Sequence, residues 1–413
     1  MLGLFNRRKK FREGPLLTAS TGAQDDWFGL SVALSADGNT AIAGAGLDDV
    51  GANVDQGSAT IFVRSGTSWT QQQTVTQTGG AAGDYFGFGV ALSSDGNTAI
   101  IGALSDDVGA NANQGSATIF TRSGGVWTQQ QTITKTGGAA GDLFGRSVAL
   151  SADGNTAIVG AANSDVGANV DQGTATIFTR SGSVWTQQQT ITQSTGAGTD
   201  SFGYAVALSS SGDTAIVGAY FDDVGANADQ GSATIFTRSG SVWTEQQTIT
   251  QTGGAAGDAF GFSVALSADG NTAIIGASRD DVGANTNQGS ATIFTRSGST
   301  WTQQQTITKT SGALNDTFGA AVAMSADGNT AIIGTNYADV GANADQGTAT
   351  IFTRSGSIWT EQQTITQTGG AAGDAFGVSV ALSSSGNIAI VGANYDDVGA
   401  NTNQGSATIF YRR

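Results

Sequence analysis

Phe86-Gly-Phe-Gly-Val-Ala-Leu-Ser-Ser-Asp-Gly-Asn-Thr-Ala-Ile-Ile-Gly-Ala103 reads as two β-strands joined by a tight turn. Phe88 to Leu92 forms the first strand. Ser94-Asp-Gly-Asn97 supplies the turn, because Asp-Gly tolerates the positive φ that short hairpins need. Thr98 to Ala103 forms the second strand and is apolar enough to be buried on both faces. Downstream, a loop from Leu104 to Gln114 carries Asp106-Asp-Val-Gly-Ala-Asn111. Ser116 to Thr121 gives a third strand, and Arg122-Ser-Gly-Gly125 a turn. Trp127 to Thr134 gives a fourth strand whose alternating Gln and Thr suit an outer edge. Thr136-Gly-Gly-Ala-Ala-Gly-Asp142 then leads to the next Phe-Gly.

The unit recurs. Phe-Gly stands at Phe28, Phe86, Phe144, Phe202, Phe260, Phe318 and Phe376, always 58 residues apart. A period of this length means one supersecondary unit per repeat. Seven units of four antiparallel strands predict an all-β fold, a seven-bladed β-propeller. The outer segment Trp69-Thr-Gln-Gln-Gln-Thr-Val-Thr76 returns at Trp127, Trp185, Trp243, Trp301 and Trp359, and its next copy would fall past Arg413. One period before Trp69 stands Phe11-Arg-Glu-Gly-Pro-Leu-Leu-Thr18. Residues 11–18 are therefore expected to close the last blade, as a ring requires. The chain divides into a basic tail, 1–10, and one propeller, 11–413, with repeats starting near 26, 84, 142, 200, 258, 316 and 374.

Composition agrees. Sixty-two Gly, one Pro and abundant Thr, Val and Ile suit short strands and tight turns. The net charge of −16 argues against nucleic acid and anionic membranes as partners. It suits cations, basic proteins or neutral glycans. No stretch is long and apolar enough to span a bilayer, and the absence of Cys leaves the redox compartment open. Met1-Leu-Gly-Leu-Phe-Asn-Arg-Arg-Lys-Lys10 lacks the order of a secretory signal, since its short apolar part precedes the charges. It reads as a solvated tail or as a docking peptide for a larger assembly.

Phe-Gly-x-x-Val-Ala-Leu, then Ala-Ile-x-Gly-Ala, then Gly-Ser-Ala-Thr-Ile-Phe, resembles the FG-GAP repeat of integrin α-subunit propellers. The chain is more similar still to bacterial and viral proteins built from such repeats. The resemblance runs from Phe11 to Arg413. It implies a seven-bladed propeller whose last outer strand comes from the N-terminus. It also implies an adhesion, ligand-binding or lectin-like module at an extracellular, cell-surface or virion surface. Fold analogy fixes no ligand.

Integrin propellers carry calcium between the first two strands, so calcium is the one candidate cofactor. Here that turn is Ser35-Ala-Asp-Gly-Asn39, with a single carboxylate, and Ser211 and Ser385 replace the Asp in two copies. Calcium takes six to eight oxygens, which this turn cannot supply alone. The second loop is the better metal candidate. Asp49, Asn53 and Asp55 recur as Asp107, Asn111 and Asn113; Asp165, Asn169 and Asp171; Asp223, Asn227 and Asp229; Asp281, Asn285 and Asn287; Asp339, Asn343 and Asp345; and Asp397, Asn401 and Asn403. The alternative is that these side chains fix their own loop backbone. The Asp two before each Phe-Gly, such as Asp84, reads as a turn fixer too.

Strand alternation places the short turns and a ring of Arg (Arg64, Arg122, Arg180, Arg238, Arg296, Arg354, Arg412) on one face. The longer, Asp-rich loops fall on the other, second face. Three positions there vary between copies. One is the pair after Gly-Ala, which includes Leu104-Ser105, Tyr220-Phe221, Ser278-Arg279, Asn336-Tyr337 and Asn394-Tyr395. Another precedes Phe-Gly, as Trp27, Tyr85 and Leu143. The third follows it, as Leu30, Phe88, Arg146, Tyr204 and Phe262. Aromatic side chains at loop starts mark contact surfaces. The expected ligand surface centres on Tyr220, Phe221, Arg279, Tyr337, Tyr395, Trp27 and Tyr85, with neutral drift as the alternative.

An enzyme is not expected. The chain has no His and no Cys, which removes the usual general base and thiol nucleophile. Nothing singles out one carboxylate pair among seven copies for glycoside hydrolysis. The leading reading is a binding or adhesion module for a protein or glycan. The alternatives are a virion fibre or decoration protein and a calcium-stabilised surface scaffold.

Overall fold

The computed structural model describes residues 9–413, so most of the basic tail lies outside the described residues. Seven four-stranded antiparallel sheets form the blades, and the described residues contain no helix. In the second blade the strands are Phe86–Leu92, Thr98–Ala103, Ser116–Ser123 and Val126–Ile133. The third and fourth strands extend beyond the expected limits, because Arg122 and Ser123 pair with Trp127 and Val126 and leave a two-residue turn, Gly124-Gly125. In the seventh blade the order is Phe11–Leu17, Ser406–Arg412, Ile388–Ala393, Ser379–Leu382. The N-terminal strand closes the ring, and no helix of the described residues is long and apolar enough to cross a membrane.

The core lies between blades rather than within them. Ile42, Ala59, Ile61 and Val75 of the first blade pack on Phe86, Ile101, Phe120 and Trp127 of the second, and the cluster repeats around the ring. Every second strand is wholly buried. The two glycines of the motif meet across this interface. A Cβ on Gly102 would lie 1.8 Å from the carbonyl oxygen of Gly145 in the next blade, so close approach of two backbones requires Gly there.

The glutamines of the outer strand are inter-blade connectors. Gln73 receives the Trp127 N–H and donates to the Trp127 carbonyl, both at 2.9 Å, pairing with that backbone as a strand would. Gln72 accepts the Trp127 indole N–H at 2.9 Å. Gln129 accepts the N–H of Thr78, one blade back, at 2.7 Å.

A second hoop encircles the channel mouth on the first face. Ala36 N–H donates to Ser94 O, Ser94 to Ala152, Ala152 to Ser210, Ser210 to Ala268, Ala268 to Ala326, Ala326 to Ser384, and Ser384 back to Ala36, all at 2.9–3.0 Å. The inner strands line the channel in rings. Leu34, Leu92 and Leu150 belong to the ring near the first face, and Leu30, Phe88, Arg146, Tyr204 and Phe262 to the ring at the second.

Candidate functional site

The two faces differ in how their charges are used. On the first face six of the seven Arg are hydrogen-bonded to the hairpin turn of their own blade. Arg122 donates to Asn97 Oδ1 at 2.9 Å and lies 5.4 Å from the Trp127 ring. The neighbouring turn is equally occupied: Asp37 accepts from Ser35 Oγ at 2.7 Å, Asn39 N at 2.9 Å and Asn39 Nδ2 at 2.6 Å. Six aspartates sit in such turns (Asp37, Asp95, Asp153, Asp213, Asp269, Asp327), and every other Asp of the chain belongs to a second-face loop. The second face is therefore the acidic one.

The candidate metal residues fasten their own loops. Asp49 Oδ1 accepts the Asp55 N–H at 2.9 Å, and Asn53 donates to Gln56 Oε1 at 2.8 Å and to Gly80 O at 3.1 Å. The pattern recurs from Asp107 and Asn111 to Asp397 and Asn401. Asp55, Asp171, Asp229 and Asp345 occupy the left-handed region at φ 54°, where Asp and Asn are tolerated. Among the described residues no three Asp, Glu, His or Cys side chains converge as metal ligands. The donor set as folded does not fit calcium, which needs several carboxylates at one point.

Beneath these loops lie the aspartates that precede each Phe-Gly. Burial, reinforced by neighbouring aspartates, holds the Asp26, Asp200, Asp258 and Asp374 carboxyls up at about 6. Burial raises Asp84 as well. These side chains are 2–3% exposed and accept loop N–H groups, so they are structural rather than ligand-facing. In four junctions a Gln bridges to the next loop, as Gln77 Nε2 does to Asp106 Oδ2 at 2.8 Å. In two, where Ser164 and Ala338 replace that Asp, a Lys takes the Gln position. Lys135 then pairs with Asp142 at 3.1 Å and Lys309 with Asp316 at 3.3 Å.

The variable positions assemble at the channel mouth. Tyr220 stacks on Phe221 at 3.8 Å and on Tyr204 at 4.1 Å, Phe262 adds an edge contact to Tyr220 at 5.6 Å, and Arg279 lies 5.9 Å from the Phe221 ring. Burial pushes the Tyr220 hydroxyl up to about 12. On the other side Trp27 meets Tyr395 edge-on at 5.2 Å. Trp27 and Tyr85 share a cavity of about 420 Å³ with Leu30, Leu47, Asp55, Phe88, Leu104 and Arg146. Both hold positive φ, 58° and 55°, as does the residue before Phe-Gly in every repeat, so the conformation belongs to the repeat and not to this cavity.

Tyr337 stands apart, 47% exposed and outside both groups. Some of the other variable positions turn inward. Ala259 and Ala375 are 1% exposed and Asn394 2%, so the surface covers part of the ring rather than all seven blades. Sequence reasoning noted Tyr204, Phe262, Phe88 and Arg146 as variable but left them out of the expected surface. The first residue after Phe-Gly points into the channel mouth, where these four meet the loop residues.

A family described as FG-GAP repeat matches residues 13–62, 69–120, 127–178, 185–236, 243–294, 301–352 and 359–410. Each match begins in an outer strand and ends in the third strand of the following blade, and the first begins in the closing strand. No curated protein matches the chain.

Proposed function

The chain belongs to the FG-GAP repeat family, and from that membership we propose that it is a non-enzymatic adhesion module presenting its second face to a protein or glycan. Propellers of this family are interaction or ligand-binding scaffolds, typically without catalysis and usually extracellular or on a surface. The observation that carries the reading is the continuous aromatic group Tyr204, Tyr220, Phe221 and Phe262 at the channel mouth. Aromatic rings contribute large contact area at low entropic cost and dominate binding hot spots. On the first face five Arg lie over the Trp of their own blade, and no continuous aromatic group of this kind forms there among the described residues.

The test compares wild type with a Tyr220→Ala, Phe221→Ala, Tyr337→Ala triple variant on a glycan array and on a panel of immobilised surface proteins. Loss of at least tenfold in affinity for whatever wild type retains is expected. Unchanged binding by the triple variant removes the second face as the contact surface.

A further inference from the structure

Arg146 is the one guanidinium placed in the wall of the second-face cavity. Lys135 and Lys309 are spent on Asp142 and Asp316, and Arg279 stands exposed beside Phe221. Arg146 instead lies between two rings, 5.1 Å from the Phe88 centroid and 3.9 Å from that of Tyr204. Among the described residues it has no ion pair, and its Nε is buried without a hydrogen-bond partner. A buried charged donor left unpaired is costly. Phe88 and Tyr204 flank the guanidinium, and a guanidinium with no carboxylate partner matches a carboxylate in a two-pronged bond.

The remaining walls decide what carries the carboxylate. Trp27, Leu47, Tyr85 and Leu104 make the cavity predominantly apolar, and its volume of about 420 Å³ is that of a small-molecule site. Asp55 is the one acidic residue in its lining, and its charge disfavours a polyanion more than a monoanion whose carboxylate meets Arg146. We propose that this cavity binds a small carboxylic acid with an aromatic or branched apolar body. Arg146 takes the carboxylate, and Trp27, Tyr85 and Leu47 enclose the body. The proposal rests on the second face being the binding face and names the chemistry selected at one point of it.

The test is calorimetric titration of the full chain with phenylacetate, phenylacetamide and acetate. Phenylacetate is expected to bind at least about tenfold tighter than either of the others, the margin of a charge-assisted bond. Arg146→Gln should abolish the preference over the amide and Arg146→Lys should retain part of it, with melting temperatures confirming that both variants fold. Equal affinity for phenylacetate and phenylacetamide, or an unchanged preference in Arg146→Gln, overturns the role of Arg146. Acetate binding as tightly as phenylacetate overturns the apolar body, and no phenylacetate binding overturns the site. The larger-ligand test uses residues on the fourth and sixth blades and this one a residue on the third, so the failure of one is distinguishable from the failure of the other.

Discussion

The Trp69 indole N–H donates to the Tyr411 hydroxyl at 2.7 Å, across the junction of the last and first blades. At a regular junction the Trp acceptor is a Gln of the preceding outer strand, as Gln72 is for Trp127. At the closing junction that Gln position is Gly14, and a Cβ there would lie 2.6 Å from the Tyr411 ring. Tyr411 stands where other blades carry Thr or Val, fills the space above Gly14, and supplies the lost acceptor.

Gly14 and Tyr411 should therefore behave as a coupled pair. Tyr411→Thr opens a cavity and leaves the Trp69 N–H unpaired, a loss of about 2–4 kcal/mol. Gly14→Gln alone overpacks the ring by about 1–3 kcal/mol. Together they recreate the regular junction, and the double variant should be more stable than the sum of the singles by about 1 kcal/mol or more. Urea denaturation followed by Trp fluorescence measures all three; strict additivity would refute the coupling.

Gln131 pairs with both backbone groups of Trp185, at 2.8 and 2.9 Å. Gln131→Ala removes two hydrogen bonds at an inter-blade seam, and a loss of about 1–2 kcal/mol is expected. A change under about 0.3 kcal/mol in the same denaturation assay would mean that water replaces the amide without penalty.

Stability should peak on the acid side. Burial holds Asp26, Asp200, Asp258 and Asp374 up at about 6 in the folded protein, against the ordinary value of 3.8. Between those values the folded chain holds protons that the unfolded chain has released. Their contribution is complete below pH 3.8 and is lost as pH rises through about 6. Asp37, Asp95, Asp153, Asp269 and Asp327 are held below 3.8 by hydrogen bonds from their turns, and their contribution disappears as pH falls further. The melting temperature is expected to rise from pH 7 to a maximum at about pH 4. A steady fall over that range contradicts the assignment.

Calcium should leave the melting temperature unchanged relative to chelator, because the loop Asp and Asn side chains are committed to their own backbone. A ligand that binds only the folded state raises the transition in proportion to ln(1 + [L]/Kd). A rise of several degrees at millimolar calcium would mean that the loops rearrange into metal sites.

Much of this architecture was legible because the repeat displays its own alignment. The interval between Phe28 and Phe376 positions, the Asp-Gly turns and the displaced Phe11 segment carried the ring and its closure. The role of the Gln run was hidden, because Gln73 and its partner Trp127 are 54 residues apart and a polar outer strand reads as solvated. That Gly14 and Tyr411 complement each other needed coordinates, because the two residues lie at opposite ends of the chain. At the candidate site, loop membership was legible while direction was not. Strand counting could not show that Arg146 turns into the channel mouth between Phe88 and Tyr204, or that Tyr337 stands exposed and apart from the ring groups of the described residues.

The seven-membered hoop from Ala36 to Ser384 and back has no first or last bond. Every donor points the same way around the axis, so the inner circumference offers no free end from which strands can fray. At the circumference of the last blade the closing strand Phe11–Leu17 is held to Ser406–Arg412 and lies at the outer edge of its sheet. Tension on the N-terminus would peel that strand from Ser406–Arg412 one hydrogen bond at a time and leave the hub intact. A module tethered by its N-terminus would then yield first at the rim while the surface around Tyr220 kept its shape.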